Sequence, residues 1–171
     1  MPKIVVAMYG ETLHDAACAV PKDAPLNSQG HEQAAFLGVQ LKHCEDLNIQ
    51  TIVCSDARRT MQTALIVAAV LQLPVSAVLR EPRLRECDFG RLTGKIVGAP
   101  DTDFTYRDHG GEDRLDVLSR MLMALMDYLP PDDDRKAQVL YIGHRCSLGT
   151  LLHHLKQPCH LEHCEYRLLS L

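Results

Sequence analysis

Residues 49–64 read Ile-Gln-Thr-Ile-Val-Cys-Ser-Asp-Ala-Arg-Arg-Thr-Met-Gln-Thr-Ala. The first seven form a short apolar run of the kind that makes a buried strand. Asp56 or Ala57 then opens a helix that carries Ala64, Leu65, Val67, Ala68, Val70 and Leu71, and Pro74 ends it. Val75 to Leu79 reads as the next strand. The strands are continuously apolar and do not alternate, so both faces of their sheet are covered.

The same grammar extends in both directions. Lys3 to Met8 (KIVVAM) is an apolar strand broken by Gly10, and Leu13 to Asn27 is loop-like. Ser28 is the expected N-cap of a helix bearing Ala34, Leu37, Val39, Leu41 and Leu47. Glu81 to Pro100 is a loop region rich in Arg, Glu, Gly and Pro. Leu115, Val117, Leu118, Met121, Leu122, Leu125, Met126 and Leu129 mark an amphipathic helix that Pro130-Pro131 stops. Val139 to Ile142 is a fourth strand, Ser147 to Leu155 a helix and Tyr166 to Leu171 a last strand. The expected fold is α/β: a three-layer sandwich with a mostly parallel central sheet and helices on both faces, as one domain over residues 1–171.

Composition narrows the function classes. The 171 residues are 46% hydrophobic and 23% charged, which is globular rather than disordered. The net charge of -4 disfavours nucleic acid as a partner. No apolar run approaches the roughly 18 residues of a membrane span, and the N-terminal run is too short for a signal peptide. Seven cysteines, an odd number without repeat spacing, point to free thiols in a reducing, cytoplasmic setting. His153, His154, Cys159, His160, His163 and Cys164 gather soft ligands without a regular zinc spacing, so neither a metal nor a cofactor is expected.

Ligands of such sheets sit beyond the C-terminal ends of the strands. Three strand ends qualify: Met8 to Thr12, Ser55 to Arg59, and Gly143-His144-Arg145. Arg58-Arg59 at a helix start suits an anion, although a solvated pair is the plainer reading. Glu86 offers a carboxylate in a loop, or else a surface ion pair. His144 is placed to meet a ligand, or else packs as a structural imidazole.

Taken together these segments resemble the histidine phosphatase superfamily, the phosphoglycerate-mutase-like proteins. The resemblance rests on six pieces in order: the first strand with Gly10-Glu11-Thr12, Pro25-Leu26 to Gln33-Ala34, Ser55 to Ala64 with Arg59, Leu84-Glu86-Gly90, Gly110-Gly111-Glu112, and Gly143-His144. It implies a phosphate pocket at the strand ends, with Arg59 as anion clamp, Glu86 as general acid and His144 as the second histidine. Gly10 and Thr12 join as substrate-binding residues.

The departure is central, because Met8-Tyr9 stands where the family has Arg-His. A phenol with an ordinary pKa of about 10 replaces the nucleophile, and a thioether replaces a guanidinium. Arg145, beside the second histidine, is a candidate to restore the lost charge. The expected function is a degenerate member that binds a phosphorylated or anionic small molecule. The alternatives are an enzyme of altered mechanism, with Tyr9 or His144 in the key role, and a non-catalytic module with a protein partner.

Overall fold

The computed structural model describes residues 3–14, 24–95, 104–129 and 137–170. Five strands form one sheet in the order β3-β2-β4-β1-β5. They are β1 (Lys3–Met8), β2 (Leu47–Cys54), β3 (Val78–Arg80), β4 (Ala137–Gly143) and β5 (Tyr166–Ser170). The helices are α1 (Ser28–His43), α2 (Arg58–Leu71), α3 (Arg114–Asp127) and α4 (Arg145–His154). β1 and β2 both pair parallel with β4, β2 pairs parallel with β3, and β5 closes one edge antiparallel to β1.

The layers follow from this order. Right-handed crossovers between parallel strands run one way along the sheet from β1 to β2 to β3 and the other way from β3 to β4, and α4, which packs on α3, leads to the antiparallel edge strand β5. That puts α1 and α2 on one face and α3 and α4 on the other, and each pair packs together. Ile4 to Met8 of β1 and Val139 to Ile142 of β4 are buried at the centre. The chain leaves β1 and β4, which are neighbours, toward opposite faces. A crevice therefore opens at their C-terminal ends.

Three local details differ from the sequence reading. Asn27, not Ser28, caps α1: its Oδ1 accepts from Gly30 N at 2.7 Å, and Ser28 is already helical. Val39 on that helix faces solvent, and Leu47 belongs to β2. Val75–Ala77 winds as a 3₁₀ turn behind Pro74, which leaves only Val78–Arg80 for the edge strand. The expected stop at Pro130-Pro131, much of the expected loop Leu13 to Asn27 and the end of the loop region Glu81 to Pro100 lie outside the described residues. Among the described residues no helix is long and apolar enough to cross a membrane.

Candidate functional site

Two strand ends bring Arg59 and His144 together. Arg59 lies in the first turn of α2, immediately beyond β2, and His144 is the residue between β4 and α4. Both are buried, at 2% and 0% exposure. Arg59 Nη2 donates to His144 Nδ1 at 2.9 Å. A guanidinium cannot accept, so Nδ1 is the acceptor and the neutral ring carries its proton on Nε2. Nε2 then donates to Ser55 Oγ at 2.7 Å, Ser55 donates to Thr60 Oγ1 at 2.8 Å, and Thr60 donates to Ala57 O at 2.8 Å. Ser55 O, at 2.9 Å, is a second acceptor for the Thr60 hydroxyl, so the chain ends on backbone oxygens. Burial, with Arg59 beside it, holds the His144 pKa well below the ordinary histidine value.

Tyr9 closes the floor of the arrangement. It is 3% exposed, its ring lies 5.4 Å from the rings of both His144 and His163, and the Arg59 guanidinium stands 4.8 Å over its face. A cation over an aromatic face is a favourable contact, worth more when desolvated. Its backbone oxygen accepts from His163 Nδ1 at 3.1 Å. Met8 beside it is fully buried.

Glu86 approaches from the loop after β3. Its Oε1 accepts from Cys87 N at 2.9 Å and Ser147 N at 3.0 Å, and its Oε2 from Cys146 N at 3.2 Å. Cys146 and Ser147 sit in the first turn of α4, so this carboxylate caps a helix to which it does not belong. Burial pushes the Glu86 carboxyl above its usual range, against the opposing pull of the three amides and Arg59. The residue keeps part of its surface open, on the side of a cavity of about 370 Å³. Arg59, Glu86 and His144 line that cavity, together with apolar Ala57, Cys87 and Phe89.

The other sequence candidates are placed differently. Tyr9, Gly10, Thr12 and Arg145 are not among the cavity's lining residues. The Gly10 amide is turned to Thr63 Oγ1 at 3.1 Å, and Thr12 Oγ1 accepts from His14 N at 3.1 Å. Arg145 is half-buried at the start of α4, where its charge acts on Glu162. Ser55 and Thr60, which take up the Nε2 side of His144, are not candidates on the sequence reading, although both stand inside the motif that contains Arg59. Among the described residues no group of three or more His, Cys, Asp or Glu stands close enough to hold a metal ion.

A sheet of this order, with Arg, His and Glu around a cavity at its strand ends, defines an α/β fold with a candidate site where its strands end. The profile of the histidine phosphatase superfamily (branch 1) matches residues 9–166, and the chain belongs to that superfamily. A protein of Proteus mirabilis described as a probable phosphoglycerate mutase GpmB is 30% identical over 171 residues, spanning 89% of this chain and 74% of the relative. A glucosyl-3-phosphoglycerate phosphatase of Mycolicibacterium vanbaalenii is 30% identical over 145 residues, 77% of this chain and 62% of the relative. Among solved structures, a mycobacterial glucosyl-3-phosphoglycerate phosphatase in complex with VO3 superposes with a TM-score of 0.78 at 24% identity. That match covers 99% of this chain and 91% of the other, and it shows the shared fold.

Proposed function

We infer that this chain binds a phosphorylated or otherwise anionic small molecule in the cavity bordered by Arg59, Glu86 and His144, and does not turn it over through a covalent phosphoenzyme. The observation that carries the reading is Tyr9. It holds the position that the superfamily resemblance gives to the nucleophilic histidine, yet it is packed under Arg59 and is not one of the residues that line the cavity. His144 does not replace the nucleophile in this arrangement, because its Nδ1 lone pair is engaged by Arg59 and its Nε2 proton by Ser55.

Anion binding is supported by the guanidinium of Arg59 at the wall of a cavity just beyond the first turn of α2, where helix geometry favours negative charge. The relatives named above are described as a probable phosphoglycerate mutase and a glucosyl-3-phosphoglycerate phosphatase, and a mycobacterial phosphatase of the second kind was solved with VO3. A cytoplasmic location fits the free thiols among the described cysteines.

A second reading, slow phosphomonoester hydrolysis, has one observation in its favour. Glu86 holds a carboxyl with a raised pKa in the same cavity, as a general acid requires. Titration with inorganic phosphate, together with an assay on p-nitrophenyl phosphate, separates the two. Binding that disappears in Arg59→Ala, with turnover at the uncatalysed background, supports the first reading. Turnover with a trapped phosphoenzyme overturns it, acid-labile phosphate marking histidine and acid-stable phosphate marking Tyr9.

A further inference from the structure

Arg120 borders the cavity and invites assignment as a second anion ligand. Its hydrogen bonds say otherwise. A guanidinium has five N–H groups, and each of the five here meets an acceptor of the protein itself. Nε donates to Glu112 Oε1 at 2.7 Å and Nη2 to Glu112 Oε2 at 2.8 Å. Nη1 donates to the backbone oxygens of Arg83 at 2.7 Å and Arg85 at 2.8 Å, and Nη2 to that of Glu86 at 3.0 Å. No donor is left to offer a ligand.

Glu112 completes the pattern from the other side. Its Oε2 also accepts from Asp88 N, and its own backbone N donates to Asp88 O, both at 2.9 Å. The segment 83–88 is thus held before Glu86, at Glu86 and after it. The holding groups come from α3 and the residue just ahead of its cap, Asp113. Both side chains are largely shielded, with 18% and 24% exposure, so the paired charges are screened less than a surface ion pair.

We propose that Arg120 and Glu112 form a clamp that fixes the Glu86 backbone so that its carboxylate reaches the amides of Cys146 and Ser147 and stands at the cavity wall. They are positioning residues, acting through Glu86. The proposal rests on the functional reading above, since that reading gives Glu86 its place beside a bound anion.

The test is backbone hydrogen exchange, read residue by residue, in the wild type, Arg120→Lys and Glu112→Gln. Lysine keeps the charge and loses the fork, so a purely Coulombic role would be rescued by it. In both variants the amides of Cys146 and Ser147 are expected to exchange at least about tenfold faster, while Val6 and Leu140 in the central strands keep their rates. Glu86→Gln should open the same two amides. Unchanged protection of Cys146 and Ser147 in either variant overturns the clamp, and so does a loss of protection spread over the whole chain. Titration of the wild type with inorganic phosphate decides the functional reading separately. Its failure would leave the exchange result to judge the clamp alone.

Discussion

The Arg59 guanidinium donates to Nδ1 of His144 at 2.9 Å while lying 4.8 Å over the Tyr9 ring, so one buried cation joins the ends of β2, β4 and β1. Replacing Arg59 with Leu removes the donor to a fully buried imidazole nitrogen. A buried acceptor left without its bond costs about 1–3 kcal/mol. Urea unfolding should show a loss of that order, and phosphate binding should vanish in the same variant. A folded Arg59→Leu protein with wild-type phosphate affinity would remove Arg59 from the anion site.

His144 also gives the protein an acid-sensitive stability. The folded chain keeps this ring neutral below the pH at which an exposed imidazole, with a pKa of about 6.5, gains its proton. The unfolded chain binds that proton and the folded chain does not. Stability from this residue is therefore complete above the ordinary value and falls as pH drops below it, by up to about 1.4 kcal/mol per pH unit. Glu86 acts with the opposite sign: its raised carboxyl favours the folded state at acid pH, and that advantage fades as pH rises through the folded value. Unfolding measured at about pH 7.5 and about pH 5.5 should show a smaller acid loss in His144→Gln than in the wild type. Equal losses would assign the effect elsewhere.

Glu86→Gln tests the capping role of the carboxylate. The amide presents N–H groups toward the N–H groups of α4, so one or two of the bonds to Cys146 and Ser147 are lost. Helix caps and their charge-assisted bonds are worth about 1–2 kcal/mol. Thermal unfolding should fall accordingly, with α4 the first helix to lose amide protection. A variant as stable as the wild type would mean that water caps α4 equally well.

Gly10 and Gly30 meet backbone to backbone where the β1 loop crosses the start of α1. A Cβ on Gly30 would stand 2.1 Å from Glu11 O, and one on Gly10 would stand 2.4 Å from Gly30 O. Neither carbonyl has a rotamer by which to escape. Gly30→Ala should destabilise by about 1–3 kcal/mol or more, as overpacking does. Chemical denaturation measures it, and a neutral result would show that this loop shifts freely.

The sheet was legible because its strands are apolar runs separated by clear helix patterns. Lys3–Met8 and the Arg59 helix stood out for that reason, and the antiparallel β5 was visible as a strand without its direction. The cap of α1 was misplaced by one residue because Asn27 and Ser28 are both competent caps, and only the backbone angles at Asn27 decide between them. Place at strand ends and in the loop drew notice to Arg59, Glu86 and His144 but left a solvated or structural reading open for each, and the family resemblance gave them their expected roles. The partnerships were not legible. Ser55 and Thr60 act through hydroxyl geometry that spacing does not record. Arg120 reads as one more polar residue on an amphipathic helix until its five acceptors, spread over residues 83 to 112, are seen.

The measurement that bears most directly on the central claim is release of p-nitrophenol from p-nitrophenyl phosphate by the wild type and by Met8→Arg/Tyr9→His in one assay. Met8 is fully buried, so the fold of the double variant is checked first by circular dichroism. The account predicts wild-type release at the uncatalysed background. It predicts a folded double variant on the order of 10²-fold or more above that background, with acid-labile phosphate on the protein. Wild-type turnover at about 1 s⁻¹ or faster, the ordinary range of enzymes, or a folded double variant that stays at background, would contradict it.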